Sequence, residues 1–113
     1  MKIPKPTADD RARFASLVPH DARVEVKPMF GNLGAFVNGN MFMGLFGPDV
    51  GVKLDDTGQG ALSRAGGGPF GPAERPMGGY VSLPTTLTET EAKAWVATSL
   101  EYVSALPQKV RKK

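Results

Sequence analysis

The clearest pattern in the chain lies between Met29 and Leu54, where three short apolar runs alternate with turn signals. Asn38-Gly39 separates Ala35-Phe36-Val37 from Met41-Phe42-Met43, and this pair suits the two consecutive positive-φ positions of a type I′ turn. Gly47-Pro48-Asp49 marks a second turn before Val50-Gly51-Val52-Lys53-Leu54, with Pro fixing φ at a corner and Asp able to bond its own backbone. Upstream, Val24-Glu25-Val26-Lys27 alternates apolar and charged residues, as in a strand with one buried and one wet face. Pro28 confines that strand to an edge or ends it. The pattern predicts an antiparallel meander with strands near 24–27, 33–37, 41–46 and 50–54. Within 41–46, strict alternation puts Met41, Met43 and Leu45 on one face and Phe42, Gly44 and Phe46 on the other. Both faces are apolar, so the strand is either covered on both sides or presents an outer face to an interface.

Helical spacing replaces this pattern at the two ends. Thr7 can cap a helix whose first turn holds Asp9 and Asp10, and Phe14, Leu17 and Val18 follow at i, i+3, i+4 until Pro19 ends it. Thr88 through Glu91 fits a capping box, followed by Ala92, Trp95, Val96, Leu100, Val103 and Leu106 on one face and Pro107 as a stop. From Asp55 to Gly79 the periodicity collapses, with eight glycines and three prolines in 25 residues. This segment reads as a long loop with one helical turn at 60–65, pinned to the core by Phe70 and Met77. Tyr80-Val81-Ser82-Leu83 reads as a closing strand. The expected architecture is a single α+β domain over residues 1–113, with an antiparallel sheet of about five strands flanked by N- and C-terminal helices. Residues 7–106 form its folded core and 107–113 a basic tail.

Composition narrows the chemistry. An apolar share of 41% with 22% charged residues belongs to a chain that buries a core unaided. No apolar run reaches the roughly 18 residues of a membrane span, and the basic start lacks a signal-peptide core, so a cytoplasmic, non-membrane protein is expected. The absence of cysteine excludes disulfides, thiolate metal sites and cysteine nucleophiles. The net charge of +3 is a property of the tail, where Lys109, Arg111, Lys112 and Lys113 stand without an acid. These four are the candidates for contact with nucleic-acid phosphates.

Few residues could carry catalysis. The sole histidine, His20, sits in a turn with no evident second ligand, and no serine lies in a G-x-S-x-G elbow. Asp9-Asp10 serves a helix start, and Asp55-Asp56 lacks the spacing of a calcium loop. Gly66-Gly67-Gly68 lacks the pattern of a nucleotide-binding loop, yet Arg64 and Arg75 bracket it, so Arg64, Gly67, Gly68 and Arg75 are the candidates for an anion or small-molecule site. Phe36, Phe42 and Phe46 could stack bases, but with only Lys53 between Pro28 and Gly58 they read as core or interface residues. No cofactor is expected.

One set of ordered motifs resembles a known family. Met29-Phe30-Gly31, Gly34-x-Phe36, Asn38-Gly39-x-Met41-Phe42, Val52-Lys53-Leu54, Pro69-Phe70, and Met77 followed by Tyr80-Val81-x-Leu83-Pro84 are similar to the N-terminal domain of the TfoX/Sxy competence regulators, over roughly residues 8–106. The resemblance implies a fold similar to the type III secretion chaperones, no enzymatic activity, and a role in transcription regulation beside a cyclic-AMP-responsive activator. The full regulators add a C-terminal helical domain where these 113 residues end, so a stand-alone member is implied. The expected function is a non-enzymatic regulatory or adaptor domain binding a protein partner, such as a transcription activator or RNA polymerase, with Phe42, Phe46, Phe70 and Met77 as contact candidates. An apolar outer face also favours a homodimer.

Overall fold

In a computed structural model, which describes residues 5–29, 32–72, 74 and 76–107, the chain folds into one six-stranded antiparallel sheet and three helices. The elements run α1 (Ala8–Leu17), β1 (Val24–Met29), β2 (Asn32–Val37), β3 (Asn40–Phe46), β4 (Asp49–Lys53), α2 (Asp56–Arg64), β5 (Gly68–Pro69), β6 (Tyr80–Ser82) and α3 (Glu89–Ser104). Strand order is β1-β2-β3-β4-β6-β5. The architecture is α+β, and the predicted meander is its first four strands. Asn38 and Gly39 both have positive φ, 53° and 78°, as the tight β2–β3 turn requires.

Each terminal helix begins as its sequence dictates. Thr7 accepts from the Asp10 amide while Asp10 accepts from the Thr7 amide, and Thr88 and Glu91 do the same for α3. Phe14 and Leu17 of α1 and Ala92, Val96, Leu100 and Val103 of α3 enter one core with Ala35, Val37, Phe42, Met43, Leu45, Val50, Val52 and Leu54. Leu62 of α2 joins the same core, so all three helices lie on one face of the sheet.

Two features depart from the sequence reading. The stretch expected as a loop with one turn at 60–65 holds α2, a nine-residue helix. Its glycines hid it, since each lowers helix propensity by about 1 kcal/mol. Tertiary contacts outweigh that loss: Asp55 accepts from the Gly58 amide at 2.7 Å, the Gln59 side chain donates to the Leu54 carbonyl at 2.8 Å, and Leu62 is fully buried. A short sixth strand, β5, then pairs with β6.

The second departure is a β-bulge. Ala35 faces Met43 and Phe36 faces Met41, leaving Phe42 as the extra residue on β3. The bulge breaks the strict alternation and puts Phe42 into the helix-side core beside Met43 and Leu45. Ser99, fully buried in α3, braces this point, its hydroxyl lying 2.6 Å from the Phe42 carbonyl oxygen and 2.7 Å from that of Lys53. One hydroxyl proton serves the two acceptors.

Candidate functional site: the outer face of the sheet

With every described helix on one side, the other face of the sheet is covered by its own side chains and by the segment that follows β5. Gly34, Gly44 and Gly51 face each other in register across β2, β3 and β4, forming a row without side chains through the middle of the sheet. A glycine inside a strand marks a close approach, and here two groups make it. The ring of Phe70 lies on Gly51, where a Cβ would collide with it, and reaches Gly44. Met41 covers the rest, its sulfur crossing Gly44 and Gly34 beside Phe36 and Met29.

Phe70 arrives from the irregular segment after β5 and is 2% exposed, yet it lies outside the helix-side core. Phe46 stands edge-on to its ring at 6.3 Å, and Tyr80 is tilted against it at 6.1 Å. The Tyr80 hydroxyl donates to the Met41 carbonyl at 2.7 Å, and burial pushes its pKa up to about 12. Met77 closes the turn: its amide donates to the Phe70 carbonyl at 2.8 Å and its side chain packs on Gly71, whose φ of +97° fits a glycine. At the rim, Lys53 lies over Tyr80 at 5.6 Å and Lys27 over Phe36 at 5.4 Å. Lys27 also pairs with Glu25 at 3.4 Å.

The contact candidates thus separate. Phe46 and Met77 are half-buried on this outer face, whereas Phe42 is core and Phe70 is covered; neither buried ring offers a free surface, a correction due to the bulge and to the glycine floor. Among the anion candidates, Arg64 is exposed in the last turn of α2. The amides of Gly66 and Gly67 donate to the Ser63 and Leu62 carbonyls, and that of Gly68 to the Ser82 hydroxyl, so the triglycine offers its donors to the chain itself. Arg75 and the tail residues Lys109, Arg111, Lys112 and Lys113 lie outside the described residues.

The remaining polar candidates have local duties. Asp10 and Asp55 cap helices. Among the described residues no cluster of three or more His, Cys, Asp or Glu could hold a metal ion. His20 is exposed beside a shallow notch of about 180 Å³ between the end of α1 and α3, shared with Leu17, Val18, Lys93 and Ala97. Next to it, Arg23 grips Asp21 with its guanidinium at 2.8 Å and holds that carboxyl down at about 2. No described helix is long and apolar enough to cross a membrane.

The sequence reading missed Met41, Tyr80 and the glycine row. Gly44 between apolar neighbours and Gly51 inside Val50-Gly51-Val52 carried the available signal, since each is a costly strand residue unless something must lie on it.

A two-layer domain with helices on one side and a half-covered aromatic face on the other is the class this geometry defines. The family model for the TfoX N-terminal domain matches residues 12–103, and the chain belongs to that family. No curated protein and no solved structure matches it.

Proposed function

We propose that the chain is a non-enzymatic regulatory adaptor that acts in the cytoplasm by binding another protein, in transcriptional control of the competence type. The observation that carries this reading is the outer face, where Met29, Phe36, Met41, Phe46, Met77 and Tyr80 are only partly buried on a sheet side that no described helix covers. Monomeric proteins seldom leave contiguous apolar surface of this kind without a use for it. Membership of the TfoX N-terminal domain family supports this reading, and the resemblance to competence regulators suggests a transcription activator or RNA polymerase as the partner.

The test is a cross-linked, nuclease-treated pull-down of the tagged protein from its native cells, compared with a Phe36→Ser/Met77→Ser variant. These side chains are only partly buried, so the variant should keep its fold, which circular dichroism checks. Enrichment of a transcription component that the folded variant loses supports the adaptor reading. Equal recovery by both proteins, or recovery of nothing beyond the bait, overturns it.

A further inference from the structure

We infer that the Gly44–Gly51 floor is a docking slot for an aromatic side chain of a protein partner, held closed in the free chain by Phe70. The inference rests on the adaptor reading and names what that partner must present. The slot has the shape of a ring: two glycines of adjacent strands pave it, Phe46 and Tyr80 wall it, and Met41 continues the floor toward Gly34. A Cβ at position 51 would close it, so the pavement is specific to a flat group lying on bare backbone.

The backbone that carries the occupant of this slot has few anchors. Phe70 follows a strand of two residues and lies between Gly66 and Gly71, with φ of 110° and 97°. It is held by β5–β6 pairing, by the Ser82 hydroxyl on Gly68 and by the Met77 amide on the Phe70 carbonyl. Segments with few anchors open locally before the fold does. When Phe70 leaves, what remains is a slot whose chemistry is complementary to another phenyl ring. Charge narrows the partner further. Lys53 sits over the slot wall and makes no ion pair among the described residues, so an aromatic residue flanked by acids fits best.

The probe is the peptide acetyl-Asp-Phe-Asp-amide, titrated against the full chain and against Phe70→Ala by the change in Tyr80 NMR shifts. Removing the internal competitor should tighten binding by about tenfold or more, since apparent affinity is reduced by the closed fraction. Binding to Phe70→Ala should be lost on adding Gly51→Ala, weakened by Lys53→Glu, and at least about tenfold weaker for the leucine peptide. Equal binding to both chains, or equal binding of the leucine peptide, overturns the slot. Should Phe70→Ala fail to fold, 4-fluorophenylalanine at position 70 reads the same event in the intact chain. A second, solvent-exposed fluorine signal that grows with peptide supports displacement, and a single unchanged signal overturns it. The two readings fail separately: a pulled-down partner indifferent to Phe70→Ala removes the slot and leaves the adaptor, whereas peptide binding without any captured partner removes the adaptor alone.

Discussion

A methyl group at position 51 would occupy the space of the Phe70 ring, so Gly51 acts on the outer face through the side chain it lacks. Gly51→Ala should therefore expel or tilt Phe70, at a cost of about 1–3 kcal/mol typical of overpacking. Urea unfolding measures it, and a Gly51→Ala/Phe70→Ala double variant should show much less than the sum, because both changes act on one contact. Additive effects would mean that Phe70 does not lie on Gly51. On the opposite face, Ser99→Ala leaves the Phe42 and Lys53 carbonyls without their hydroxyl and should cost about 1–3 kcal/mol, again read by denaturant. Tyr80 adds a pH signature. Burial raises its pKa from the ordinary 10.0 to about 12, so the folded state holds its phenolic proton longer than the unfolded chain. Its contribution to stability is complete below pH 10 and is lost as pH rises from 10 toward 12. Absorbance at 295 nm should show a late-ionising tyrosine that Tyr80→Phe removes.

At the scale of elements, what was legible in the sequence is what local chemistry controls. The capping boxes of α1 and α3 are written in Thr7–Asp10 and Thr88–Glu91, and both helices start where these residues say. Asn38-Gly39 likewise specifies its turn without help from the rest of the chain. The helix α2 was legible only as a turn at 60–65, because Gly58 and Gly60 argue against its first half, and the burial of Leu62 that outweighs them is revealed by no local pattern. The bulge was illegible for the same reason: alternation through Met41-Phe42-Met43 is sound as a pattern, and the extra residue exists only relative to β2. Caps also make the elements sensitive to acid. Two amide and hydroxyl contacts from Thr88 lower the Glu91 pKa, and Arg23 holds Asp21 at about 2. Both carboxylates have depressed pKa values, so what they contribute is present above their ordinary range near 4 and is lost as pH falls below it, toward 2 in the case of Asp21. Thr88→Ala should lower stability at neutral pH by about 1 kcal/mol and flatten the acid limb of a pH–stability profile. An unchanged profile would show that the box does not hold in solution.

For the whole molecule, the question is how the sheet protects its two edges. The β1 edge is nearly stripped of donors. Antiparallel pairing with β2 turns alternate residues outward, and Pro28 must be among them because it has no amide proton to give the ladder. Val24 shares its parity, and its amide is already spent on the Asp21 carbonyl at 3.0 Å. Only Val26 keeps an outward amide, and its side chain is 45% exposed. At the other edge β5 is two residues long and ends in Pro69. Short edges and edge prolines are the means by which sheets avoid growing into one another. Association through β1 is thus suppressed by Pro28. Pro28→Thr restores a donor beside Val26 and gives the strand a continuous outward row. The variant should self-associate in a concentration-dependent way by analytical ultracentrifugation, with Glu25 and Lys27 able to pair across a two-fold centred on Val26. Adding Val26→Lys should abolish that association, because it places like charges face to face at the centre of the new pairing. A Pro28→Thr chain that sediments as the parent does would mean the edge is closed by something other than its missing proton.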